Sequence, residues 1–147
     1  MKQRVIFETE IEEGDFSRGG EASSKLKGLL HKLGVKSTVV RKAAIVTYEL
    51  EMNIIIHSRG GQIKAALQPD NPGQIILYVD DRGPGIEDVE QAFKPGFSTA
   101  TEEIREMGFG AGMGLNNVKQ YSDRLEFESV PGKGTSIEVS IFLDQEG

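Results

Sequence analysis

Apolar and polar residues recur along this chain with periods that predict short strands and helices. Residues 4–11 alternate roughly, which is typical of a first strand. From Ala22 to Leu33 leucines recur at helical spacing, and Gly34 is expected to stop that helix. A second, longer helix is predicted from about Ser37 to His57. Its core stripe consists of Ala43, Val46, Leu50 and Ile54.

Turn residues between apolar segments predict two hairpins. Ile63–Leu67 and Gln74–Val79 are predicted strands separated by Pro, Asp, Asn and Gly. Leu125–Val130 and Thr135–Leu143 form a second such pair across a Pro-Gly-Lys-Gly turn. Because the strands lie in hairpins with helices between them, we predict an α+β fold. It is a two-layer α/β sandwich, in which a mixed, mostly antiparallel sheet carries helices on one face.

The segment 92–112 interrupts the regular pattern. It contains Pro, Gly, Ser, Thr and several charges but little apolar periodicity, so we predict a mobile loop that acts as a lid. A helix is predicted over 113–124, where Leu115, Val118 and Tyr121 recur at helical spacing.

Composition narrows the class of protein. A chain of 147 residues predicts a single domain over 1–147. The absence of cysteine excludes disulfides, thiolate metal sites and a cysteine nucleophile, and two histidines are too few for a multi-histidine metal site. The net charge of -6 argues against a nucleic-acid partner. Neither a signal peptide nor an apolar run of membrane-spanning length is recognisable, so no membrane association and a cytoplasmic location are expected.

Polar residues recur every fourth position on the second long helix, at Glu49, Asn53 and His57. At 3.6 residues per turn they share one face. The Asn53 amide oxygen is a hard ligand of the kind that Mg²⁺ takes, and Glu49 could deprotonate a hydroxyl near a γ-phosphate. A solvated polar helix face explains the same residues, and His57 alone is best read as a helix-end residue.

A second polar motif, Asp81-x-Gly83-x-Gly85, follows an apolar strand. A carboxylate at a strand end can accept a hydrogen bond from an exocyclic amine such as that of adenine, and the glycines let the chain pass close to a flat base. The Thr135 hydroxyl would reach the same place if the last strand lies beside the strand that ends near Asp81. Ordinary turns account equally for each motif taken alone.

Four glycines at alternate positions precede the helix predicted over 113–124. Such a segment exposes backbone N–H groups at a helix start, which suits phosphate, although a flexible hinge has the same composition. The glycines are Gly108, Gly110, Gly112 and Gly114, and we expect Met113 and Leu115 to anchor the helix in the core. In the preceding loop, Lys94, Ser98, Thr99 and Arg105 are candidate phosphate contacts, though such side chains more often face solvent.

Taken in order, these motifs resemble those of the GHKL ATPase superfamily, which includes gyrase, the Hsp90 chaperones and histidine kinases. The ordered set is Glu49-x-x-x-Asn53, Asp81-x-Gly83-x-Gly85, the glycines at 108–114, and Gly132-x-Gly134-Thr135. The small size is similar to that of bacterial anti-sigma-factor serine/threonine-protein kinases. The glycine segment and the residues from Asp81 to Ile86 most resemble the switch-kinase branch, although Asn116 stands where relatives often have Pro.

The resemblance implies a Bergerat-type ATP-binding sandwich and residue roles within it. Asn53 would be the ligand of Mg²⁺, Glu49 the general base, Asp81 the adenine reader and Thr135 its support. Backbone or side-chain contacts to ATP are implied for Gly83, Gly85, Ile86, Lys94, Ser98, Thr99, Gly108, Gly110, Ala111, Gly112, Met113, Gly114 and Leu115.

The same resemblance implies a function in a bacterial partner-switching pathway. The γ-phosphate of ATP would pass to a Ser or Thr of a STAS-domain antagonist protein, and a sigma factor or downstream regulator is a further candidate partner. The alternative is a nucleotide-dependent binding module that sequesters a sigma factor without significant catalysis. A histidine kinase is disfavoured because no dimerisation hairpin precedes the predicted domain. A homodimer stays open, since small relatives often dimerise.

Overall fold

The fold is a single antiparallel sheet covered by helices. The computed structural model describes residues 3–12, 14–57, 60–70, 72–82, 114–130 and 134–144. In chain order the elements are β1 (Arg4–Ile11), a 3₁₀ turn (Phe16–Arg18), α1 (Glu21–Lys32), α2 (Ser37–His57), β2 (Gly61–Gln68), β3 (Gln74–Asp81), α3 (Gly114–Tyr121), β4 (Arg124–Val130) and β5 (Gly134–Phe142).

The five described strands form one sheet in the order β1-β2-β3-β5-β4, and every neighbouring pair is antiparallel. The two hairpins predicted from turn chemistry are present as β2–β3 and β4–β5. The last strand lies between β3 and β4, so the end of β3 is adjacent to the start of β5. The α+β sandwich expected from the sequence is therefore confirmed.

The core lies between one face of the sheet and the helices. Alternate residues of β3 and β5 point to this face and are buried, as in Ile75, Leu77 and Val139. The predicted stripe of α2 faces them, and its members Ala43, Val46, Leu50 and Ile54 are at most 1% exposed. Helix α2 also packs against α1 on one side and α3 on the other. None of the described helices is long and apolar enough to cross a membrane.

Helix α1 begins with a cap that comes from far along the chain. Its N-cap residue, Gly20, has φ 90° and offers no side-chain hydrogen bond. The Glu51 carboxylate of α2 takes that role: Oε2 accepts the Ala22 N–H at 3.0 Å, and Oε1 accepts the Ser23 N–H at 3.5 Å. Glu51 is 2% exposed. Burial raises the pKa of its carboxyl, and the backbone donors oppose that rise. This buried charge thus satisfies the first turn of α1.

The end of the third helix and the exposure of Leu33 differ from the prediction, and the other described α-helices and strands begin and end within two residues of their predicted bounds. The third helix ends at Tyr121 rather than at residue 124, because the Ser122 hydroxyl turns back to the Val118 carbonyl and Asp123 joins β5 through its backbone and carboxylate. Leu33, expected on the buried stripe of α1, is instead 41% exposed at the C-cap. The predicted lid at 92–112 lies outside the described residues.

We expect Glu51→Ala to lower the free energy of unfolding by about 2–3 kcal/mol, because it removes a helix cap and leaves buried N–H groups without an acceptor. Urea denaturation followed by circular dichroism measures this. Glu126→Ala, at an exposed carboxylate of β4, is the control and should change stability by less than about 0.5 kcal/mol. Equal stability of the two variants would contradict the capping role.

Candidate nucleotide site

The carboxylate of Asp81 lies at the paired ends of β3 and β5. Asp81 is directly opposite Thr135 in the antiparallel register, and its Oδ1 accepts the Thr135 backbone N–H at 3.2 Å. Asp81 lies two residues after Val79 on β3, and Thr135 lies two residues before Ile137 on β5. Because alternate residues of a strand share one face and Val79 and Ile137 are buried, Asp81 and Thr135 lie on the face of the sheet that carries the helices. The expected proximity of positions 81 and 135 is therefore observed, and the contact is made through the Thr135 backbone.

Close backbone approach at this corner requires glycine. Gly134 has φ 124°, a conformation that L side chains rarely adopt, and a Cβ there would overlap the Asp81 carbonyl oxygen. On the other side of β3, a Cβ on Gly61 would overlap the carbonyl oxygen of Asp80. The strand end that carries Asp81 is therefore bordered on both sides by residues that cannot carry a side chain without displacing the backbone.

The polar side of α2 lies next to α3. Glu49 and Asn53, one turn apart on α2, are both half-buried. The Asn117 side chain of α3 donates from Nδ2 to Glu49 Oε1 at 3.5 Å, which is long for a hydrogen bond. A solvated helix face, the competing interpretation of these residues, does not fit half-burial against a second helix.

Burial has the largest effect on the pKa of Glu49. It raises the pKa of the carboxyl above its ordinary value, and the Asn117 hydrogen bond acts in the opposite direction. Desolvation in this way moves a carboxyl toward the neutral range in which a general base operates.

The Asn53 side chain on α2 fits a hard divalent cation as a ligand. Within the described residues no hydrogen bond is made by the Asn53 carboxamide, so its oxygen is available as a ligand. A single amide oxygen suits Mg²⁺, which takes few protein ligands and keeps water and phosphate oxygens. In the part of the chain that the structure describes, no group of three or more His, Cys, Asp or Glu side chains could hold a metal ion.

Of the remaining predicted contacts, two lie in the described part of the chain. Gly114 and Leu115 form the start of α3, in agreement with a helix directly after the glycine segment. The predicted contacts that lie outside the described residues are Gly83, Gly85, Ile86, Lys94, Ser98, Thr99, Gly108, Gly110, Ala111, Gly112 and Met113, together with Arg105.

Two polar residues of this region were missed by the sequence reasoning. Asn117 pairs with the predicted base, and Glu51 caps α1. The sequence offered a partial signal for Asn117, since it lies one position before the core residue Val118 on an amphipathic helix. It offered none for Glu51, because the cap joins residues 29 positions apart.

Residues 38–146 match the family described as histidine kinase-, DNA gyrase B- and HSP90-like ATPases. Since this match covers most of the chain, the protein belongs to that family.

The relatives of this chain include proteins named anti-sigma F factor and a protein named as a serine/threonine-protein kinase. The anti-sigma F factor of Caldanaerobacter subterraneus is 40% identical over 99 residues, which are 65% of this chain and 64% of the relative. That of Thermoanaerobacter sp. is 37% identical over 73% of this chain and 65% of its own length. The chain thus spans just under two thirds of these relatives. The serine/threonine-protein kinase RsbT of Bacillus subtilis is 29% identical, over 80% of this chain and 83% of its own.

Solved structures share the fold. A mycobacterial sensor histidine kinase, MprB, aligns with a TM-score of 0.51 and 24% identity over 70% of this chain and 71% of its own. A chain of the SiaB–SiaC complex from Pseudomonas aeruginosa aligns with a TM-score of 0.60 and 16% identity over 94% and 91%. At these identities the similarity concerns the fold alone.

We expect Gly134→Ala to lower the free energy of unfolding by about 2 kcal/mol or more, because the methyl group overlaps the Asp81 carbonyl and φ becomes unfavourable. The matched control is Gly14→Ala, where φ is also positive at 68° but no atom lies within 4 Å. The control should lose only about 1 kcal/mol, the cost of the conformation itself. Equal losses in the two variants, measured by urea denaturation, would contradict close packing at this corner.

The Glu49 carboxyl makes stability depend on pH in a defined direction. Its pKa is higher in the folded protein, so the folded state binds more protons between the unfolded and folded pKa values, and stability falls as pH rises through that window. We expect the stability of Glu49→Gln relative to wild type to be greater at pH 7 than at pH 4. The same relative stability at both pH values would be inconsistent with a raised pKa, and the exposed Glu126→Gln serves as the control.

Proposed function

We propose that this protein is an ATP-dependent serine/threonine-protein kinase of a bacterial partner-switching pathway. The single observation that carries the proposal is the half-buried pair Glu49 and Asn53 on α2, in a family of ATPases. A half-buried carboxylate at this position supports a role in proton transfer in addition to nucleotide binding. The names of the relatives, anti-sigma F factor and a serine/threonine-protein kinase, support the same pathway.

We assign the adenine of ATP to Asp81, and its phosphates to the glycine segment and to Asn53. Asp81 would accept a hydrogen bond from the exocyclic amine of adenine, and its fixed distance from the Thr135 backbone supports a preorganised acceptor. The glycines at 108–114 would present backbone N–H groups to the phosphates. Asn53 would hold Mg²⁺, which neutralises charge on the phosphate oxygens when it is bound.

The proposed reaction is an in-line transfer. Glu49 accepts the proton of a Ser or Thr hydroxyl as that oxygen forms a bond to the γ-phosphorus, and the bond between the γ-phosphorus and the bridging oxygen breaks to leave ADP. Such a transfer depends mainly on position and charge neutralisation, so one base held on a rigid helix is sufficient protein machinery.

The phosphoacceptor we propose is a STAS-domain antagonist protein, with a sigma factor or regulator as a second partner. This assignment follows from the resemblance of the motifs and from the names of the relatives. The alternative is a binding module that sequesters the regulator while nucleotide is bound. The term anti-sigma factor in those names favours this alternative as the second candidate, because it describes binding rather than transfer.

We expect the purified protein to transfer labelled phosphate from MgATP to a STAS-domain protein encoded beside it. Glu49→Gln should lower kcat about 10²- to 10⁴-fold, the usual contribution of a general base, with ATP affinity retained. Asp81→Ala should instead weaken ATP binding, seen as loss of the thermal shift that ATP produces in wild type. Glu126→Gln is the control and should behave as wild type.

The outcomes separate the two candidate functions. Sound ATP binding without phosphate transfer by wild type would reject the kinase. If regulation of the sigma factor survived in Glu49→Gln while transfer was lost, sequestration rather than phosphorylation would be the regulatory step.

A further inference from the structure

On the side of α2 that carries Glu49, a polar side chain of α3 contacts this carboxylate. Asn117 Nδ2 lies 3.5 Å from Glu49 Oε1, and the contact is partly buried. Within the described residues the second carboxylate oxygen, Oε2, has no hydrogen-bond partner. The two oxygens of this carboxylate therefore differ, one directed at an amide and the other left to accept a proton.

Both side chains are attached to rigid elements. Val118, next to Asn117, is fully buried, and Tyr121, one turn later, packs against the same core. These contacts fix the rotation of α3 about its axis and turn Asn117 toward α2. Leu50, next to Glu49, is 1% exposed and fixes α2 in the same way. The pair is thus preorganised by the packing of two helices rather than by a loop.

We propose that Asn117 is a positioning residue for Glu49, which holds the carboxylate through Oε1 so that Oε2 receives the substrate proton. The catalytic consequence rests on the proposed function, whereas the pairing itself does not. A carboxamide suits this role because it donates a hydrogen bond but cannot take up the proton, so the base is oriented without competition.

Asn117 also has an electrostatic consequence. A donor to the ionised carboxylate favours the charged form, and it opposes the effect of burial on Glu49. Since the group acts as a base only when it is ionised, this interaction favours the form of Glu49 that can accept a proton.

Other charged groups around Glu49 do not replace this interaction. On α3 the charged side chain is Lys119, which is exposed, and on α1 Glu21 and Lys25 pair with each other. On β3 Asp81 accepts from Thr135. No ion pair among the described residues includes Glu49. The adjacent residue on α2, Tyr48, is also titratable, and its pKa is raised by burial and by the carboxylates of Glu49 and Glu51.

The pairing is tested without reference to activity by ¹³C NMR titration of the side-chain carboxyls, with the Glu49 signal assigned from its loss in Glu49→Gln. In Asn117→Ala the titration midpoint of Glu49 should move to higher pH. In Asn117→Asp, which keeps the shape but replaces the donor by a negative charge, the shift should be larger. An acidic side chain in the first turn of a helix is favourable, so this variant should fold. Gln120→Ala removes an exposed carboxamide from the same helix and should leave the midpoint unchanged.

Phosphate transfer then measures the catalytic consequence. We expect Asn117→Ala to lower kcat about tenfold at neutral pH while KM for ATP changes less than about twofold, because the nucleotide contacts stay intact. The acid limb of the pH–rate profile should move with the NMR midpoint. A role in stability alone would lower the melting temperature without moving that limb.

Two failures are distinguishable. Identical Glu49 midpoints in wild type, Asn117→Ala and Asn117→Asp would overturn the pairing, whatever the activity. If the midpoints moved as expected but wild type transferred no phosphate, the pairing would stand and the proposed kinase function would be rejected.

Discussion

The burial of α2 between three neighbours is the constraint on which the rest of the structure depends. Its apolar stripe packs against the sheet, while α1 and α3 cover its two sides. A helix held in this way cannot rotate to bring its polar residues into water. Glu49 and Glu51 must therefore be accommodated where they lie, and their hydrogen-bond donors come from the two flanking helices.

Two buried or half-buried carboxylates of α2 are stabilised by different kinds of hydrogen-bond donor. Glu51 and Glu49 are two residues apart and face opposite flanking helices, and burial raises the pKa of both. Backbone N–H groups of α1 stabilise the charge of Glu51, which leaves that carboxylate committed to structure. Glu49 receives one long hydrogen bond from Asn117, so this carboxylate is held by fewer donors than Glu51. The same helix thus carries two desolvated carboxylates that differ in the number and kind of their hydrogen-bond donors.

Periodicity and turn residues were sufficient to predict the architecture, because each element follows a local pattern. The stripe of α2 and both hairpins are examples. The proximity of Asp81 and Thr135 followed once the last strand was assumed to lie beside β3. The contacts of Asn117 and Glu51 could not be predicted in this way, since each joins residues far apart in sequence whose neighbourhood is set by helix packing. The exposure of Leu33 was missed because helical spacing does not reveal where a stripe ends.

The distant cap of α1 has a consequence for the order of folding. Gly20 contributes no side-chain acceptor, so the first turn of α1 depends on a carboxylate 29 positions downstream. As the chain leaves the ribosome, this helix is therefore incomplete until most of α2 has emerged. The two helices become stable together, as one cooperative unit, and a nascent fragment that ends before residue 51 lacks the group that secures its own first helix.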